Sequence, residues 1–204
     1  MKRLITLFRR YRTFYVLSLS VILLGLVGLL LGEKGDLVLY FNSMESEKAD
    51  GFFLWMTLLG EITGGIIVFL MLLLLAERRF ILVFIASVIL STSVTQGLKH
   101  SVFKGERRPI VSYDYLKPIE DLDRHRTNSF PSGHTTAAFT FMSLLALGIK
   151  RKSVQVIAPL LGGLIGLSRV YLGQHYLNDI VAGAVLGLFL TSIVYYVFQE
   201  KKWI

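Results

Sequence analysis

Long unbroken apolar runs, rather than an amphipathic period, dominate this chain and leave it few ways to fold. Six are read from hydropathy: Phe14–Leu31, Phe52–Ala76, Phe80–Leu98, Thr135–Ile149, Val154–Ser168 and Ile180–Phe198. Crossing a hydrocarbon core of roughly 30 Å takes about twenty helical residues, and only helices or closed barrels satisfy their backbone groups there. The expectation is therefore all-α: a polytopic membrane bundle of six transmembrane helices forming a single domain over residues 1–204. The fourth and fifth runs are short, so each must borrow a turn from the polar segment beside it. Composition agrees, with 53% of the 204 residues hydrophobic and a mean hydropathy of +0.60. The first run follows a basic start, as in a signal peptide. It is too long for an apolar signal core and no small-residue cleavage site follows, so it reads as a retained span.

The net charge of +8 does not point to nucleic acid, because the basic residues cluster at the ends of apolar runs, where they serve topology. With the runs alternating across the bilayer, one side receives Lys2, Arg3, Arg9, Arg10 and Arg12, then Arg78 and Arg79, Lys150 to Lys152, and Lys201 with Lys202. The loop Glu33–Asp50 on the other side carries Lys34 and Lys48 among five acidic residues. Both termini are expected to be cytoplasmic. The loop from Lys99 to Gly133 is basic yet lies opposite the termini, an exception that a polyanion site explains. Cysteine is absent, which excludes disulfides and thiolate metal sites and leaves carboxylates, basic residues and four histidines to carry chemistry. The pairs Gly28/Gly32, Gly60/Gly64, Gly162/Gly166 and Gly183/Gly187 are assigned to close helix packing.

Alternation of the spans brings the unusual polar residues to one face. Lys99 closes the third span and Ser132-Gly133-His134 opens the fourth; Arg169 closes the fifth, and His175 with Asp179 opens the sixth. Each piece suits a phosphoryl group. Pro131-Ser132-Gly133-His134 precedes an apolar helix, whose free N–H groups and positive dipole end attract an anion. Lys99, Arg108 and Arg169 supply positive charge, and arginine can do so with paired hydrogen bonds. His175 and Asp179 are four residues apart, on one helical face. There a carboxylate can fix the imidazole tautomer while the other nitrogen attacks phosphorus. His134 is then available as general acid.

Three segments resemble the motifs of the type-2 phosphatidic acid phosphatase superfamily of membrane lipid phosphatases. Ser168-Arg169, five residues, His175, three residues, Asp179 matches its third motif without deviation, and Pro131 to His134 its second. The first is represented by Lys99 and Arg108-Pro109 with eight residues between them where the family has six, and Arg107 is a rival to Arg108. The resemblance runs from about Lys99 to Gly183. It implies six spans, a phosphohistidine on His175, phosphate contacts from Lys99, Arg108, Ser132, Gly133 and Arg169, and no metal or other cofactor. In size the chain looks most like bacterial phosphatidylglycerophosphate phosphatases of the B type, or undecaprenyl pyrophosphate phosphatases of the same superfamily. The expected partners are a lipid substrate and the bilayer, with the site on the extracytoplasmic face; the oligomeric state is not encoded in any readable pattern.

Three other readings stand beside this one. An anionic-lipid transporter or flippase would use the basic site only to bind, but no repeated halves are visible. A phosphotransferase would pass the group to an acceptor other than water. Related haloperoxidases are soluble, and hydropathy counts against them. His100 and His125 match no motif and read as loop residues. Glu61, inside the second run, is an ionisable residue at membrane depth. No motif covers it, so it reads as structural, either deep in the span or near the outer interface. Phe52, Phe53, Trp55, Tyr113 and Tyr115 read as interfacial aromatics.

Overall fold

The computed structural model describes residues 8–113, 116 and 126–203, and every regular element among them is helical. Lys2, Arg3, Tyr115 and His125 lie outside the described residues. In chain order the helices are α1 (Arg12–Leu31), α2 (Asp36–Ser43), α3 (Glu47–Leu58), α4 (Ile62–Leu75), α5 (Phe80–Ser101), α6 (Pro109–Ser112), α7 (Gly133–Ile149), α8 (Lys152–Tyr171) and α9 (Leu177–Glu200).

Each apolar run becomes helical, but the six are not equivalent. α1, α5, α8 and α9 are long and apolar enough to cross a membrane. The second run is α3 and α4, which pass the same test only as a pair bent by 57°. α7 has 17 residues, about 25 Å of helix at 1.5 Å per residue. From Thr135 to Gly148 all of it but Ala137 is buried, with α4, α5, α8 and α9 around it. A helix apolar on every side belongs in an interior, so α7 is the axis about which the bundle is assembled.

Small residues bring the neighbours close to that axis. A Cβ added to Gly183 of α9 would lie 2.7 Å from the Ser132 carbonyl oxygen, and one on Gly187 would collide with the carbonyl of Thr136. Gly162 and Gly166 of α8 accommodate Phe139 and Thr135 of α7, and Gly28 of α1 meets Leu177 of α9. Two of the paired glycines serve local turns instead: Gly64 lies against the Leu59 backbone at the α3–α4 bend, and Gly32 ends α1 beside Asp36.

The basic connections gather at one end of the bundle. There the Tyr11 hydroxyl donates to the Leu147 carbonyl at 3.1 Å and pairs with the Tyr195 hydroxyl at 2.9 Å. Lys150 Nζ donates to Glu77 Oε1 at 2.8 Å and Lys152 Nζ to Thr13 Oγ1 at 2.7 Å. The outside of the bundle exposes Leu24, Leu30, Leu31, Leu74, Ile89 and Phe189. That apolar surface has no place in water. The buried charged residues Lys99, Arg108, Arg169 and Asp179, with His175, collect at the opposite end.

Candidate active site

The turn between α8 and α9 builds the first corner of the site. Gly173 takes φ +63, a conformation that carries little cost only without a side chain. Beyond it the N–H groups of Gln174 and His175 both donate to the Arg169 carbonyl, at 3.0 and 3.1 Å. α9 then starts, and Asp179 in its first turn reaches back so that Oδ2 accepts from the Tyr176 N–H at 3.0 Å, a capping interaction. The same oxygen accepts from the Ser129 hydroxyl at 2.5 Å and lies 3.2 Å from His175 Nδ1. With the proton assigned to Nδ1, Nε2 keeps its lone pair. His175 and Asp179 are each only 1% exposed. Burial first, and then the charges of Arg108, Arg169 and Lys99, hold the His175 imidazole well below the usual histidine pKa, so it is neutral.

Three cations surround that pair. Lys99, in the last turn of α5, donates from Nζ to the Asn128 carbonyl at 3.0 Å. Arg108 is set by a short backbone clasp, in which its N–H donates to the Arg126 carbonyl at 3.2 Å and the Ser129 N–H donates to the Glu106 carbonyl at 3.1 Å. Its guanidinium donates to the Thr127 carbonyl at 3.1 Å and to Gln174 Oε1 at 2.8 Å. Arg107 next to it is exposed, so of the two rivals only Arg108 reaches the interior. The turn 102–105, with Gly105 at φ +88, takes up the additional spacing after Lys99. Arg169 donates to Thr57 Oγ1 at 2.6 Å, while its buried Nε has no partner among the described residues.

The start of α7 forms the facing wall. Ser132 caps the helix, its hydroxyl accepting from the Thr135 N–H at 3.3 Å and from the Thr135 hydroxyl at 2.9 Å. Its own N–H donates to the Asp179 carbonyl at 3.0 Å, which ties the α7 start to the α9 start. Gly133 follows with open space where a Cβ would stand, and His134 comes next. His134 Nε2 is 2.8 Å from Glu61 Oε1, and both side chains are partly open, at 29% and 41%.

All eight residues singled out from the motifs, Lys99, Arg108, Ser132, Gly133, His134, Arg169, His175 and Asp179, thus come to one end of the bundle. Ser168 turns away, donating to the Ile165 carbonyl at 2.6 Å, and His100 is exposed. Phe53 stacks on Tyr171 with centroids 4.1 Å apart. Sequence reasoning missed Ser129, Gln174 and Thr57, which contact motif residues without belonging to a motif. It also gave Glu61 no partner. Ser129, one turn's reach from the Pro131 motif, offered a weak signal; the others offered none.

An all-helical bundle with an apolar outer surface and a buried imidazole–carboxylate pair ringed by cations defines a membrane-embedded protein with a basic, buried site at one end. The chain belongs to the PAP2 superfamily, which its residues 80–203 match. It is similar to the lipid A 1-phosphatase of Rhizobium etli, 34% identical over 119 residues, 54% of this chain and 50% of that protein. It is also similar to phosphatidylglycerophosphatase B of Bacillus subtilis, 39% identical over 75 residues, 32% of this chain and 37% of that one. The chain therefore spans half or less of these curated relatives. Among solved structures, Aquifex aeolicus LpxE matches with a TM-score of 0.67 and 27% identity, covering 79% of this chain and 93% of that one.

Proposed function

We propose that this chain is an integral membrane lipid phosphatase that hydrolyses a phosphomonoester through a phosphohistidine on His175. The observation that carries the reading is the buried His175, oriented through Nδ1 by Asp179 and set among Lys99, Arg108 and Arg169. Nε2 attacks phosphorus, the bond from phosphorus to the lipid oxygen breaks, and His134 gives its proton to that oxygen. Water then attacks the phosphohistidine while His134 takes the water's proton, releasing phosphate and restoring His175. The three cations and the Ser132-Gly133 end of α7 stabilise the transferring group, the main source of rate enhancement in phosphoryl transfer. No metal or other cofactor enters this scheme, so excess EDTA is expected to leave the rate unchanged.

The single domain is read as six spans, with α3–α4 as the second and α7 as the fourth, both termini cytoplasmic and the site extracytoplasmic. The shared end of the basic connections supports that orientation. Phosphatidylglycerophosphate is the first candidate substrate. The name of the Bacillus subtilis relative supports that choice, the name of the Rhizobium etli relative makes a lipid A 1-phosphate a second, and undecaprenyl pyrophosphate is a third. Measuring kcat/KM for these and for phosphatidic acid on purified protein ranks them. The deciding experiment traps radiolabelled phosphate on the protein after rapid quenching. Label is expected on the native enzyme and none on His175→Ala, whose turnover falls by about a thousandfold or more. Turnover by His175→Ala near the native rate would sink the mechanism, and lipid movement without phosphate release would favour the transporter.

A further inference from the structure

Glu61 belongs to no motif, yet its carboxylate meets the second imidazole of the site at 2.8 Å. It reaches there because the second apolar run is broken. α3 ends at Leu58, α4 begins at Ile62, and Glu61 is the extended residue before α4. Gly60 lets the break approach α7, since a Cβ there would lie 3.0 Å from the His134 carbonyl oxygen. Glu61 makes no side-chain cap to its own helix, so the carboxylate is committed to the imidazole. One turn earlier, Thr57 accepts from Arg169 at 2.6 Å. A single bent segment therefore holds both a site cation and the second histidine.

We infer that Glu61 is the positioning carboxylate of His134, fixing the ring and keeping its proton in place until the leaving oxygen takes it. This rests on the phosphatase reading given above. The charged groups facing the ring are Arg169 from α8, Arg108 from the segment before α6, and Glu61 itself, with His175 beyond. Of these groups Glu61 carries the one negative charge, and it meets the ring directly at 2.8 Å. With Nε2 held by Glu61, Nδ1 faces the leaving oxygen. Its proton moves to the lipid alkoxide as the phosphorus–oxygen bond breaks, and the neutral ring recovers a proton from the attacking water in the second half-reaction. The site then contains two imidazole–carboxylate pairs with opposite tasks. Asp179 serves a buried nucleophile, and Glu61 serves a partly open acid.

The test uses the full chain in vesicles and compares Glu61→Gln and Glu61→Asp with the native enzyme. Two substrates are needed: a lipid phosphomonoester, whose alkoxide leaves only with a proton, and an aryl phosphate with an activated leaving group. Glu61→Gln is expected to lower kcat/KM for the lipid about tenfold or more while changing it about twofold or less for the aryl phosphate. The alkaline limb of the lipid pH profile moves to lower pH, and Glu61→Asp restores part of the rate. Adding His134→Ala to Glu61→Gln costs much less than the two single losses combined. A Glu61→Gln enzyme with native rate and profile overturns the inference, as does an equal loss on both substrates. Should the native chain hydrolyse neither substrate, it is the phosphatase reading that fails.

Discussion

One carboxylate oxygen, Asp179 Oδ2, gathers the Ser129 hydroxyl, the Tyr176 N–H and the His175 ring within 3.2 Å. A buried carboxylate needs such donors, and each has its own consequence. Ser129→Ala leaves the oxygen one donor short, at about 1–3 kcal/mol. It is expected to lower Tm and to reduce kcat about tenfold, as measured by thermal unfolding and turnover. The pH behaviour of His175 follows from burial and from the three cations beside it. All of them penalise imidazolium, so the folded pKa lies below the ordinary value of about 6.5. The acid limb of kcat/KM due to this group is therefore expected below that value, with activity kept as pH falls through it. Replacing one cation, as in Lys99→Met, moves the limb upward. His175, Asp179 and Arg169 were legible from motif spacing, but not through the expected shared helical face: His175 precedes α9, and the Gly173 turn with the Asp179 cap brings the pair together. Ser129 and Gln174 were not, because they fill remaining hydrogen-bonding positions on motif residues, a task with no fixed spacing.

Among the helices, the contact between α7 and α9 sets the site's alignment. Ser132 and Asp179 are joined through backbone atoms, and Gly183 one turn further along α9 lets the two chains approach. Gly183→Val forces a side chain against the Ser132 carbonyl. It is expected to cost about 1–3 kcal/mol of stability, as overpacking does, and to lower activity by parting His134 from His175. Loss of Tm and of kcat together checks this, while Gly133→Ala, with open space at its Cβ position, keeps Tm near native. Hydropathy located these helices well, because burial in lipid leaves a long apolar signature. It could not show that Phe52–Ala76 bends, since hydropathy carries no direction. The polar and small residues Gly60, Glu61, Gly64 and Gly65 inside that run were the only trace. Nor could it show that α7 is enclosed by protein rather than lipid, since both surroundings select apolar residues.

For the whole molecule, the two ends of the bundle have distinct characters. Tyr11, Lys150, Lys152 and Tyr195 mark one, and the cluster around His175 marks the other. A reporter fused after Ile204 is expected to be active only in a cytoplasmic form. A cysteine placed in the Glu33–Asp50 loop is expected to react with an impermeant reagent from outside the cell. The reverse labelling pattern would overturn the orientation. The apolar helical bundle was legible because apolar residues run together along the chain. The meeting of Glu61 with His134 was not, because it depends on how a bent segment lies against a central helix. Glu61 and His134 are also partly exposed members of the site, and Trp55 and Ile62 near Glu61 in the chain are strongly exposed. Under the proposed chemistry, a partly exposed acid beside apolar side chains separates the two products by solubility at the moment they form. The lipid alcohol remains among acyl chains, whereas inorganic phosphate departs from the polar end, so recombination requires two molecules to return from different solvents.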